Sequence, residues 1–366
     1  MNKKIEDLFL YTEDLTVGYH GIPLIKDIAI GLKKGEIMTL IGPNGAGKTT
    51  ILKNLITELT PLKGVVILDG KRVTDYPGQE LSKHLSVVLT ERIRPEMMLV
   101  KDVVATGRYP YTGRFGLLSE EDHRKVEEAM KLVNISDLAD RDFLKTSDGQ
   151  KQRVMLARAI CQEPDIIVLD EPTSFLDIRY KLEFLTILQD MSRKRGLSVI
   201  MSLHELDLAG RISDKIVCVK GDRIDRFGPP EDIFKDGYVR ELYGMSVGTY
   251  DERSGDLELP GLKGEPQVFV ISGNGTGTEC FRRLQRKQIP FAAGILWEND
   301  IDYSVAKALA SQVISTKAFE PIGASKIKQA KEMIDRCEQV ICTLNLSEAG
   351  ELAEPLKELY DYAKAR

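Results

Sequence analysis

The stretch that most constrains this chain is residues 36–50, EIMTLIGPNGAGKTT. It opens as a short apolar run, residues 37–41, which reads as a buried strand. It then turns through Gly42, Gly45 and Gly47 and enters a helix at about Lys48. Gly42 to Thr49 fits G-x-x-x-x-G-K-[ST] at every fixed position, with Pro43, Asn44, Gly45 and Ala46 in the variable ones. The physics is anion capture. Glycines let successive backbone N–H groups converge on phosphate oxygens without a Cβ in the way. The helix start adds orphan N–H groups and the positive end of its dipole. Lys48 is spaced to reach the β- and γ-phosphates of a nucleotide, and the hydroxyl of Thr49, next to Thr50, to ligate Mg²⁺. A plain Gly-rich turn would need neither the strand before, the helix after, nor the Lys-Thr pair.

At 366 residues the chain is long enough for two domains. The net charge of −5, with both signs mixed throughout, gives no electrostatic reason to expect nucleic acid. Residues 1–14 lack the continuous apolar core of a signal peptide. No apolar run approaches the roughly 18 residues needed to span a bilayer, so any membrane role is expected to come through a partner. The cysteines are scattered, and Cys161 and Cys218 sit in apolar contexts, which points to buried thiols in a reducing cytosol.

Residues 8–19 and 24–32 alternate well enough to be strands, joined by a turn at His20 and Gly21. Tyr19 ends the first strand ahead of the phosphate loop. It either packs on the sheet or offers a platform on which adenine stacks, and the context favours the platform. Further strands are expected at 64–69 and 85–89, the latter running into Glu91, and helices at 100–106 and 120–133. Between those helices residues 107–116, GRYPYTGRFG, are too rich in Gly, Pro and aromatics for a regular element. Their Arg and Tyr side chains suit a protein contact; packing on the loop's own domain is the alternative. Ser147 and Asp148 can cap a helix, with Gln150 in its first turn. Residues 165–171, DIIVLDE, read as a buried strand ending in two acids. Asp170 is suited to hold Mg²⁺ and Glu171 to polarise a water. His204 lies just beyond the apolar strand 197–202, at the strand ends where α/β sheets collect ligands.

GPNGAGKT, SDGQKQR, IIVLDEP, SFLD and the strand-end His204 stand in an order that resembles the ATP-binding cassette (ABC) ATPases, over about residues 5–260. The GRYPYTG segment looks like the importer branch for iron–siderophore complexes, haem and cobalamin. The resemblance implies a P-loop ATPase domain with a helical subdomain. In it Tyr19 resembles the adenine-stacking aromatic, Gly42 to Thr49 the phosphate loop, and Asp170 the Mg²⁺-side acid. Glu171 resembles the catalytic base, Asp177 the dimer-contact acid, and His204 the γ-phosphate switch. Ser147, Gly149 and Gln150 resemble the signature that covers the second protomer's ATP. Two departures stand out. The family's loop glutamine, which senses Mg²⁺ and the attacking water, falls at Glu91, which can ligate a cation but cannot donate a hydrogen bond when ionised. The usual Leu-Ser-Gly-Gly-Gln reads Thr146-Ser147-Asp148-Gly149-Gln150. At about 4 Å and an effective dielectric near 20, a like-charge contact between Asp148 and a γ-phosphate costs about 4 kcal/mol. Asp148 must point away, pair with a base, or weaken closure.

Residues 246–266 read as a linker by their Gly and Pro content. Beyond it, strand–helix alternation implies a small Rossmann-like parallel α/β domain, so the expected division is 1–260 and 261–366. Its glycine turn, 273–277, follows a strand and opens a helix, so an anion or nucleotide could sit there, with Glu298 and Asp300 at the next strand end. A bare turn in a docking domain is the equal alternative. Taken together, the resemblance implies the ATP-hydrolysing subunit of an importer, peripheral on the cytoplasmic face of the membrane. A second copy of the chain, two transmembrane permease subunits and, indirectly, a substrate-binding protein would be its partners. The rivals are a soluble mechanochemical ATPase without a permease and a ligand-sensing regulator.

Overall fold

In the computed structural model, which describes residues 7–89, 97–113, 115–235, 237–347 and 350–366, the strand Ile37–Ile41 is buried at every position. A strand buried on both faces needs covering layers, and such strands pair in parallel. Ile37–Ile41 lies between Lys215–Lys220 and Ser198–Ser202, parallel to both. Ile166–Leu169 and Leu85–Val88 continue the parallel series. On the other side Arg223–Gly228 pairs antiparallel with Lys215–Lys220 and leads on to Ile22–Ile28, Leu10–Tyr19 and Lys63–Leu68. Among the described residues this sheet has 11 strands. The hairpin between Leu10–Tyr19 and Ile22–Ile28 turns at His20 and Gly21, with φ of 51° and 79°. Two positive φ values match the primed turns that follow the natural twist of paired strands. The registers Leu40 with Ser202 and Leu169 with Met201 bring the ends of three parallel strands to one edge.

A helical group, Val100–Ala105, Glu120–Leu132 and Asp148–Cys161, packs together within the same unit. The segment expected to be irregular contains a 3-10 helix, Thr106–Tyr111. Its Gly107 lies so close to the neighbouring helix that a Cβ would stand 2.3 Å from the Arg158 carbonyl oxygen. That approach carries Arg108 into the interior, where it is 4% exposed.

The structure divides into two compact units, Met1–Tyr238 and Val239–Arg366. Composition placed the division at 260. Residues 239–260 hold to the second unit because Thr249–Tyr250 pairs with Leu257–Glu258, and the largely buried Glu258 carboxylate accepts from Arg282 Nε at 2.9 Å.

The second unit is built on four parallel strands, Val268–Ile271, Phe291–Trp297, Gln312–Thr316 and Gln339–Cys342. The third, second, first and fourth lie side by side in that order. Strand side chains alternate between faces. Val268 and Val270 join Phe281, Leu284 and Leu309 in one core, while Phe269 and Ile271 join Ile334, Leu356 and Leu359 in another. Pro355 sits in the first turn of the last helix, Glu354–Ala365, where its missing N–H costs nothing.

Candidate functional site

The turn after Ile41 needs its glycines. Gly42, Gly45 and Gly47 have φ of 145°, 77° and 98°, and a Cβ on Gly42 would meet the Val219 carbonyl oxygen at 2.3 Å. Pro43, Asn44 and Ala46 complete the loop, closed by Ala46 N donating to the Pro43 carbonyl at 3.2 Å. Lys48 opens the helix Lys48–Leu55 and curls back, its Nζ donating to the Gly42 and Pro43 carbonyls at 2.8 and 3.1 Å. Burial pushes the Lys48 ammonium below its ordinary pKa, against the pull of the Glu171 and Asp170 charges. Both carboxylates therefore lie near enough to be felt by the loop lysine.

Thr49 Oγ1 donates to Asp170 Oδ2 at 2.9 Å, and Thr50 Oγ1 to the Tyr19 hydroxyl at 3.3 Å. Tyr19 is 44% exposed, so its ring is available to a flat partner. Glu171 Oε1 lies 2.6 Å from His204 Nε2. Thus side chains from three adjacent strand ends, after Ile41, Leu169 and Ser202, meet at one edge. Ser202, unmarked by any motif, joins them. Its hydroxyl donates to Asp170 Oδ1 at 2.6 Å and accepts the Glu171 N–H at 2.9 Å. Glu171 has φ of 47°, a left-handed conformation that bulky residues adopt at a cost.

Thr49 and Asp170 offer hard oxygen atoms side by side, which suits Mg²⁺. That ion takes few protein ligands and keeps water or phosphate in its remaining positions. No group of three or more His, Cys, Asp or Glu among the described residues forms a denser metal site. Glu91 lies outside the described residues.

The remaining predicted site residues stand on helix starts. Ser147 caps Asp148–Cys161 in a capping box: its Oγ accepts from Gln150 N at 3.2 Å and Gln150 Oε1 accepts from Ser147 N at 2.9 Å. Gly149 packs near Leu176 in the first turn. Asp148 pairs with Lys151 at 3.7 Å, one of the ways expected for relieving its charge. Asp177 caps Ile178–Arg195, accepting from Tyr180 N at 3.0 Å.

One expectation is corrected, and one of two alternatives loses ground. Arg108 does not offer its charge outward. It donates to Asp122 Oδ1, the Cys161 carbonyl and Glu163 Oε2 at 2.8, 2.8 and 3.0 Å, and lies over the Tyr111 ring. Tyr109, 58% exposed, remains on the surface. In the second unit three backbone donors at the glycine turn and the helix start after it are taken by the chain's own acids. Asp302, fully buried, accepts from Gly277 N and Thr278 N at 2.8 and 2.9 Å, and Asp300 from Asn274 N at 2.7 Å. Those carboxylates occupy donors that the anion reading of this turn needs, which favours the bare turn of the two readings.

Residues 25–174 match a family model described as ABC transporter, and residues 291–365 one described as the MJ0874 family. An uncharacterised ABC transporter ATP-binding protein of Methanocaldococcus jannaschii is 42% identical over 291 residues, 78% of this chain and 99% of that protein. A probable siderophore transport system ATP-binding protein of Bacillus subtilis is 37% identical over 235 residues, 64% of this chain and 86% of that protein. A solved dimeric, post-hydrolysis structure of an ATP-binding cassette bound to ADP and Pi is similar with a TM-score of 0.54 and 25% identity. The match spans 60% of this chain and 98% of that one.

Proposed function

As the chain belongs to the ATP-binding proteins of ABC transporters and is an ABC-type ATPase, we propose that it powers an importer of iron–siderophore, haem or cobalamin-type chelates. The observation that carries its ATP-driven part is the meeting of the phosphate loop, Asp170, Glu171 and His204 at one sheet edge. The loop N–H groups and Lys48 hold the ATP phosphates, and adenine stacks on Tyr19. Thr49 and Asp170, with Glu91, would hold Mg²⁺, which would neutralise phosphate charge. Glu171 accepts the proton of the attacking water, and His204, bonded to Glu171, contacts the γ-phosphate. Ser202 fixes both acids relative to one another.

A second copy supplies Ser147, Gly149, Gln150 and Asp177 across a two-fold interface, in keeping with the dimeric relative. No helix among the described residues is long and apolar enough to cross a membrane. In this reading two permease subunits carry the cargo past it, as the transport-system relative supports. Tyr109 is the contact offered to them from the cytoplasmic face, and a substrate-binding protein delivers the cargo. The siderophore relative supports this cargo class.

The test has two arms. Glu171→Gln, which keeps shape and loses the base, is expected to accumulate as an ATP-bound dimer in sedimentation. Wild-type turnover by that variant would remove the catalytic assignment. Vesicles containing the co-purified permease are expected to take up an iron chelate, haem or cobalamin in an ATP-dependent way. Uptake of none of them would overturn the cargo class while leaving the ATPase in place.

A further inference from the structure

The second unit contains a cavity of about 770 Å³ at the carboxyl ends of its parallel strands. Segments that follow all four strands line it: Asn274 after the first, Trp297 and residues 299–301 at the second, Phe319 after the third, and residues 350–353 after the fourth. Ligands of open α/β sheets collect at this edge, and the volume falls within the usual range for small-molecule pockets.

Its lining combines ring faces with acceptors. Trp297 lines the cavity while partly packed on the core, and donates its indole N–H to the Glu320 carbonyl at 2.8 Å, which fixes the ring. Phe319 is 87% exposed and has φ of 59°, so a bulky side chain is held in the left-handed region at the cavity. Asp300 and Glu351 supply carboxylates. None of the described lining residues is basic. The nearby backbone donors at Asn274, Gly277 and Thr278 are already bonded to Asp300 and Asp302. A phosphate would meet negative charge and find these N–H groups taken. A flat ring carrying hydroxyl or amino donors would find two aromatic faces and several acceptors. An acid after the second strand of such a sheet is also well placed to bind ribose hydroxyls.

We propose that this cavity binds a nucleoside, recognised by ring stacking on Trp297 and Phe319 and by hydrogen bonds to Asp300 and Glu351, and that it discriminates against phosphorylated forms. This site lies in the second unit and is separate from the ATP site. Trp297 is the single tryptophan of the chain, so its emission reports on this cavity in the full-length protein. Titration of the full chain with adenosine, guanosine, cytidine and uridine is expected to change that emission saturably for at least one of them. Phe319→Ala, at an exposed position, and Glu351→Gln are each expected to weaken the binding about tenfold. The 5′-monophosphate of the same nucleoside is expected to bind about tenfold more weakly than the nucleoside itself. No saturable change at millimolar nucleoside, unchanged affinity in both variants, or tighter binding of the monophosphate would each overturn the proposal.

Discussion

Ser202 illustrates what a single buried hydroxyl can do. It is fully buried, donates to Asp170 and accepts from the Glu171 backbone, so it couples two acids with different tasks. Replacing it by alanine leaves the Glu171 N–H without its partner, at a cost of about 1–3 kcal/mol. Ser202→Ala is therefore expected to lower kcat for phosphate release about tenfold or more, with a smaller change in KM. An unchanged kcat would show that the acids hold their places without it. Lys48 acts differently, through charge-assisted hydrogen bonds worth about 1.5–3 kcal/mol each. Lys48→Ala is expected to abolish ATP binding in equilibrium dialysis, and retained micromolar binding would contradict its role. Lys48, Thr49, Asp170 and Glu171 were legible because each stands within a contiguous pattern of strand, turn and helix or strand and acid pair. Ser202 was not, because a serine closing an apolar strand has no spacing that distinguishes it from ordinary strand chemistry. Its nearness to His204 was the available signal.

At the level of elements, the 3-10 helix Thr106–Tyr111 and the helix Glu120–Leu132 are joined by the Arg108–Asp122 pair, whose two side chains are both at least nine-tenths buried. Removing one partner of a buried pair strands the other charge, at about 3–5 kcal/mol. Arg108→Ala is expected to lower unfolding stability by that amount in urea titration, while Tyr109→Ala changes it little. Equal small effects would place Arg108 among ordinary surface residues. Asp122 adds a pH signature. The Ser119 hydroxyl first, and Arg108 with it, hold its carboxyl at about 2, against an ordinary value of 3.8. A carboxyl depressed by folding stabilises the native state above its unfolded pKa and loses that contribution as pH falls toward the folded value. The stability gap between wild type and Asp122→Asn is thus expected to be constant above about pH 5 and to shrink from about pH 4 toward 2. A gap that widens on acidification would refute the assignment. The helices at 100–106 and 120–133 were legible from their apolar spacing. The 3-10 helix Thr106–Tyr111 between them was not, because Gly107 there serves a close approach to the Arg158 carbonyl rather than an irregular loop.

At the scale of the whole molecule, the alternation of strands and helices announced two α/β units, since each kind of element has its own apolar period. Where one unit ends depends on pairings that composition does not carry. The Gly and Pro residues of 246–266 have the makeup of a linker, yet Gly248 sits beside Glu258 at the Thr249–Tyr250 and Leu257–Glu258 hairpin, and its φ of 71° is the conformation glycine supplies there. Further on, Leu262 N donates to the Leu309 carbonyl at 3.3 Å. The Glu258–Arg282 pair is a charge-assisted hydrogen bond with its acid largely buried, a kind worth about 1.5–3 kcal/mol. Residues 239–366 are therefore expected to fold alone, as both cores of the second unit lie within them. A fragment of 261–366 keeps those cores but lacks the hairpin and leaves Arg282 without Glu258. Its unfolding stability in urea is expected to be lower by about 1.5–3 kcal/mol. Arg282→Ala in the longer fragment is expected to reproduce much of the same loss, because it removes the same pair. If the two fragments unfold at the same urea concentration, the hairpin contributes nothing to the unit and the division belongs near 260.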